Sequence, residues 1–158
     1  RLSQSQMITK NWQAEKRSNP SRNIGNCQVP NLFAIISGLE SSYAIKRNES
    51  VLKFSPQYVM DCNPTSKWCD GDVTNNYLTY LYNGKGTVLE SVDPYIGAAG
   101  KCPESKGFSS VSQSGYQKFK LQDYSPKTQE SDQIYTSRLE QKPFLAYLTI
   151  SNRMRFYS

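Results

Sequence analysis

Apolar residues in this chain fall into a few short periodic stretches separated by long polar ones. Residues 1–26 are polar, with Asn, Ser, Arg and Pro recurring, and predict an extended arm that ends in a turn. The clearest periodicity follows. Leu32, Ile36, Leu39 and Tyr43 recur at steps of four, three and four, and Phe33 and Ile35 widen the stripe. That spacing keeps apolar side chains on one side of a helix. Pro30 suits its first position, because the N–H that proline lacks has no intrahelical partner there. The pattern predicts a largely buried helix over residues 30–46, with Lys46 and Arg47 placed to suit the helix dipole.

Ser55-Pro56 reads as the N-cap and first turn of a short second helix ending near Asp61. Residues 63–72 predict a loop carrying Cys69, Gly71 and Asp72. Val73, Tyr77, Leu78 and Leu81 mark a third helix over 73–82, closed by Asn83-Gly84. Residues 84–115, rich in Gly, Pro and Ser, predict loop. The texture then changes. Tyr116, Phe119 and Leu121 give an irregular strand pattern, residues 131–141 a helix with Ile134, Tyr135 and Leu139 on one side, and residues 143–150 (PFLAYLTI) a buried strand. A helical part thus precedes a strand-rich part, an α+β arrangement. The expected divisions are an arm at 1–26, a helical domain at 27–110 and a partial strand-rich domain at 111–158.

Composition adds boundaries to this picture. The chain has 158 residues, enough to bury a core without metals or disulfides. Its charge is +6, but the basic residues do not cluster: the densest stretches are Lys16-Arg17 and the Lys118/Lys120 region. A generally basic surface fits better than a nucleic-acid or membrane footprint, so no nucleic-acid partner is expected. No window reaches 18 apolar residues, so no transmembrane segment is expected. The opening Arg1-Leu2-Ser3-Gln4 does not read as a signal peptide and is compatible with a processed N-terminus.

The four cysteines, Cys27, Cys62, Cys69 and Cys102, permit three pairings, among which spacing does not choose. Six residues separate Cys62 from Cys69, and the chain has no His, which argues against zinc. No cofactor or metal is expected. Two disulfides in the secretory pathway, in an extracellular or lysosome-like compartment, is the better reading. The sequon Asn48-Glu49-Ser50 agrees with that and marks Asn48 as a glycosylation candidate, whereas Pro64 blocks Asn63-Pro64-Thr65.

Several motifs in order resemble the papain family of cysteine peptidases. Trp12 precedes Ile24-Gly25-Asn26-Cys27-Gln28-Val29-Pro30-Asn31-Leu32-Phe33, which is similar to the family run Gln-Gly-x-Cys-Gly-Ser-Cys-Trp-Ala-Phe. Gly38-Leu39-Glu40-Ser41 resembles Ala-Leu-Glu-Ser. Phe54–Cys62 resembles Leu-Ser-Glu-Gln-x-Leu-Val-Asp-Cys, and Cys69-Asp70-Gly71-Asp72 resembles Cys-x-Gly-Gly. Asp93-Pro94-Tyr95 with Gly100-Lys101-Cys102 resembles the Tyr-Pro-Tyr…Cys region. The match covers about residues 11–102 and is looser beyond. The resemblance implies a helical first domain around a central helix, the start of a β-barrel domain, and disulfides Cys27–Cys69 and Cys62–Cys102. Each such bridge is worth roughly 3–4 kcal/mol on the chain-entropy model.

The same resemblance implies lost chemistry. The family nucleophile is a thiolate at the head of the long helix, stabilised by that helix and a His. Pro30 stands at that position and has no nucleophilic atom. Ile24 stands where the family has an oxyanion-binding Gln, a donor worth about 3–4 kcal/mol of transition-state stabilisation. The base is absent with His. Cys27 as a substitute nucleophile conflicts with its implied disulfide. Gly71-Asp72 replaces two glycines that line the peptide groove, with Val73 and Thr74 near its main specificity pocket.

The expected function is therefore that of a non-catalytic papain-like homologue, binding a protein or peptide or serving in an assembly. Complete family members have two facing domains, so the remainder is expected elsewhere, as a partner or a further segment. The alternative is a cysteine peptidase whose other catalytic groups come from further sequence or another chain.

Overall fold

The computed structural model describes residues 10–107, 116–122 and 131–146. Four α-helices occur among them: α1 (Pro30–Arg47), α2 (Pro56–Cys62), α3 (Thr74–Tyr82) and α4 (Asp132–Gln141). Short 3-10 turns lie at Trp68–Asp70 and Pro103–Lys106.

The central element is α1, 18 residues long, which makes it about 27 Å from end to end. Pro30 sits in its first turn, and Lys46 and Arg47 in its last. Asn48 ends it in the left-handed conformation, and its N–H closes onto the carbonyls of Ala44 and Ile45. Leu32, Phe33, Ile35, Ile36 and Leu39 are buried in one cluster with residues of α2 and α3. Tyr43 is half-buried, with its ring edge-on to Phe54 and Phe119.

Ser55 caps α2 through its Oγ, which accepts the Tyr58 N–H at 2.9 Å. Satisfying that orphan donor is what starts so short a helix. Tyr58, Val59 and Met60 then enter the core. The buried Gln57 side chain binds the following loop, donating to the Ala98 carbonyl at 2.8 Å and accepting the Ile96 N–H at 3.1 Å. Tyr77, Tyr80 and Leu81 form the buried side of α3.

The arm differs from the extended segment predicted for it. Residues 11–17 curl into successive turns, with the N–H groups of Glu15, Lys16 and Arg17 bonded to the carbonyls of Asn11, Gln13 and Trp12. Its basic and amide side chains then reach α1. Arg22 pairs with the fully buried Glu40 at 2.9 Å, and Asn19 donates to the other Glu40 oxygen at 3.0 Å. A polar arm can pack here because a buried carboxylate needs donors.

The strand pattern at 115–121 resolves differently as well. Tyr116 and Phe119 are buried, but Phe119 makes a single antiparallel bridge to Thr87. The next N–H, that of Leu121, turns to the Leu81 carbonyl at the end of α3, so the ladder stops after one pair. Gly86 makes that bridge possible: a Cβ there would stand 2.6 Å from the Phe119 carbonyl oxygen.

In the predicted strand at 143–150, residues 143–146 form no strand, and Phe144 and Leu145 are exposed. Among the described residues no segment pairs with them. Instead they lie across the small-residue side of α1, Leu145 Cγ standing 3.8 Å from a Cβ built on Gly38. A cavity of about 290 Å³ separates the two. In α4, Ile134 is exposed, while Tyr135 and Leu139 are half-buried; Trp12 ties the arm to this helix through Nε1 and the Leu139 carbonyl at 2.9 Å. Residues 1–9, the boundary expected at 110, Gly115, and the rest of the last strand pattern from 147 onward lie outside the described residues.

Candidate functional site

A cleft of about 950 Å³ opens where the head of α1 meets the loop leading into α3. The chain from Ile24 to Asn31 supplies one wall, with Pro30 exposed among its lining residues. Lys67 and residues 70–73 supply the other.

Three ties hold the walls together. The Cys27–Cys69 disulfide joins them covalently. The Gln28 N–H donates to the Cys69 carbonyl at 2.8 Å. Asn31 Nδ2 donates to the Asp72 carbonyl at 2.6 Å. The approach is so close that only glycine fits at residue 71. Its φ is +76°, and a Cβ there would lie 2.2 Å from the Gln28 carbonyl oxygen. Cys62–Cys102, the second disulfide, fastens α2 to the turn at Pro103–Lys106.

Each residue singled out from the sequence has a definite place. Pro30 heads α1 and presents only its ring to the cleft. Ile24 is half-buried, and its backbone carbonyl accepts the Tyr95 hydroxyl at 2.9 Å. Its side chain has no hydrogen to donate to a developing oxyanion. Cys27 lines the cleft, but as half of a disulfide. The two bridges account for all four cysteines, so the folded chain holds no thiol. Val73 is exposed, at 63%, on the cleft rim. Asp72 is half-buried; its Oδ1 accepts from the Val73 N–H and from Asn76 Nδ2, each at 2.7 Å. Thr74 opens α3 and does not line the cleft; its hydroxyl lies 3.4 Å from Asn31 Nδ2. Asn48 lies at the opposite end of α1, exposed.

Sequence reasoning missed Asn31, which the helical pattern leaves as one polar residue in a first turn. Periodicity places a residue on a helix face but does not say which carbonyl its amide meets. Among the described residues no three His, Cys, Asp or Glu side chains converge as metal ligands, and no helix is long and apolar enough to cross a membrane.

A central helix headed by a cleft and bridged to the opposite wall by a disulfide defines a papain-like architecture. A family model described as papain family cysteine protease matches residues 8–158, and the chain belongs to that family. It is 30% identical over 95 residues to Cysteine protease Amb a 11.0101 of Ambrosia artemisiifolia, covering 60% of this chain and 24% of that protein. It is 29% identical over 112 residues to Cysteine proteinase 5 of Dictyostelium discoideum, covering 71% of this chain and 32% of that protein. The fold matches that of the Carica candamarcensis cysteine protease CMS1MS2, solved in complex with E-64. There the TM-score is 0.69 and the identity 23%, over 84% of this chain and 58% of that one. The match thus spans about a quarter to a third of these two curated relatives' length.

Proposed function

We propose that this chain is a papain-family domain without peptidase activity, acting as a binding or assembly protein. The observation that carries the proposal is Pro30 at the head of α1, facing the cleft. Covalent proteolysis needs a nucleophile with an activating base in reach. The cleft offers a pyrrolidine ring and a disulfide sulfur in place of a thiolate, and the chain supplies no imidazole. Ile24 removes a further donor where negative charge would develop. The structural features survive without the chemistry: the disulfides, the central helix and the cleft all remain to hold a partner.

The partner is a protein or peptide, including the segment or chain that would complete a second domain. The boundaries at 26/27 and 110/111 belong to the same proposal, as does a secretory setting, which two disulfides and the Asn48 sequon favour. The competing reading is a cysteine peptidase completed by groups from elsewhere, and family membership favours it. Hydrolysis of a fluorogenic peptide by the oxidised, folded protein isolated from its source, together with any segment or chain that accompanies it, decides. The proposal expects no turnover above buffer; turnover abolished by a thiol-directed inhibitor would support the competing reading instead.

A further inference from the structure

The fold gathers cations that the sequence keeps apart. Phe119 is buried, and its backbone pairs with Thr87 through bonds of 2.7 and 2.8 Å. The next residue, Lys120, is exposed, as alternation along an extended segment requires. Its side chain lies over the turn that carries the exposed Lys85. Lys120 Nζ is 3.6 Å from a Cβ built on Gly84, and its Cγ 3.0 Å from one built on Gly86. Two residues further on, Gln122 Oε1 accepts Lys46 Nζ at 2.6 Å. Arg47 sets its guanidinium over the Tyr43 ring, 5.7 Å from the centre, and that ring meets Phe119 edge-on at 5.2 Å. Lys53, also exposed, precedes Phe54, whose ring stacks on Phe119 at 4.2 Å. Lys46, Arg47, Lys53, Lys85 and Lys120 therefore border one aromatic cluster, Tyr43–Phe54–Phe119.

None of these cations is neutralised locally. The ion pairs among the described residues engage Lys10, Arg22 and Lys118 instead. Of the neighbouring acids, Glu90 is turned to Arg22 at 3.4 Å, and Glu49 stands exposed past the end of α1. The C-terminal end of α1 itself supplies only about half a negative charge. Like charges held on one face repel one another and draw in a polyanion.

We propose that this face binds a linear sulfated polysaccharide, whose sulfates meet the four lysine ammoniums and the Arg47 guanidinium. No residue of the face lines the cleft, so the inference goes beyond the reading of the cleft; only its choice of partner rests on the secretory setting. Two observations favour sulfates on a sugar chain over a nucleic acid. Single strands are held by stacking bases on exposed rings, but Phe54 and Phe119 are buried and Tyr43 is half-buried beneath Arg47. Lysine also predominates, a point charge without the planar fork by which arginine grips phosphate.

The test uses the oxidised protein with any segment or chain that accompanies it, carrying Asn48→Gln so that no glycan borders the face. The probe is a heparin decasaccharide, read by titration calorimetry over a salt series. One variant adds Lys46→Gln, Lys85→Gln and Lys120→Gln. A control of equal charge adds Lys67→Gln, Lys101→Gln and Lys142→Gln, exposed lysines outside the face. Thermal melting checks the fold of each. The face variant is expected to bind at least about tenfold more weakly than its parent. Its plot of log affinity against log salt should flatten by about two to three units, near one counterion per cation lost. The control should stay within about threefold, because salt screens distant charges. No saturable binding by the parent, or an equal loss in both variants, would overturn the proposal. So would binding of a single-stranded oligodeoxynucleotide of matched charge, or of phosphatidylserine vesicles, as tight as that of the decasaccharide. Protein recovered from its source with its cysteines reduced would instead remove the secretory setting beneath the choice of partner, so the two failures are distinguishable.

Discussion

Arg22 reaches from the arm to Glu40 at the centre of α1, with Nη2 and Oε1 2.9 Å apart and the carboxylate wholly buried. Glu40 Oε1 also accepts the Phe54 N–H at 2.8 Å. One buried charge thereby fixes three segments: the arm, α1 and the chain entering α2. Burial raises the carboxyl above its usual 4.5, while bonds from Asn19 and Phe54 and the Arg22 charge pull the other way. Arg22→Ala is expected to cost about 3–5 kcal/mol, since it strands a buried charge.

The pH dependence of that variant has a definite sign. An acid raised in the folded state contributes fully below its unfolded value of 4.5, and that contribution is lost as pH rises through the folded value. Removing Arg22 raises Glu40 further, because the arginine is one of the causes lowering it. The deficit of Arg22→Ala should therefore be larger at about pH 7 than at about pH 4 in denaturant titrations. An equal deficit at both would show that Glu40 is not the group responsible.

Each disulfide closes a loop of similar length, with sequence separations of 42 and 40. Chain entropy gives about 4 kcal/mol for loops of that size. Replacing Cys62 and Cys102 together by Ala should lower unfolding free energy by about that amount, measured by urea denaturation. A change under about 1 kcal/mol would mean that the unfolded chain is already constrained there.

Asn48 is exposed, and its Oδ1 accepts from Arg17 Nη2 at 2.5 Å. N-glycosylation substitutes Nδ2 and leaves that acceptor in place. The site is also the full length of α1 away from Pro30, so a glycan there leaves the cleft open. Translation into endoplasmic-reticulum microsomes behind a signal sequence should give a lumenal chain whose mass falls on amidase digestion. Asn48→Gln should abolish the shift, and an unmodified lumenal wild-type chain would remove this proposal.

Restoring one group should not restore catalysis. Pro30→Cys places a thiol at a helix N-terminus, where the dipole favours the thiolate, so the variant should become alkylated by iodoacetamide. Peptide hydrolysis should stay undetected, because Ile24 still offers no donor and the chain still has no His. Measurable turnover in Pro30→Cys would show that a base is supplied from a residue not assigned such a role.

Signals that act within one turn of chain were legible in the sequence. Ser55-Pro56 started α2, and the stripe from Leu32 to Tyr43 gave α1 to within a residue. Signals that depend on a distant partner were not. Phe119 has strand character, but only Thr87 meets it before Leu121 turns to α3. Phe144 and Leu145 read as core yet lie exposed across α1, because burial needs a facing element and apolar character alone does not create one. In the cleft, the positions of Pro30 and Ile24 were legible through motif spacing, whereas the bond from Asn31 to the Asp72 carbonyl depends on a contact across 41 residues.

The central proposal is that the folded chain carries no thiol able to act as a peptidase nucleophile. Incubation of the oxidised, folded chain with a thiol-directed epoxide inhibitor, followed by intact mass and peptide mapping, tests it most directly. The account predicts an unchanged mass, with all four cysteines recovered as Cys27–Cys69 and Cys62–Cys102. A single stoichiometric adduct on the folded chain, at Cys27 or at any other residue, would contradict it.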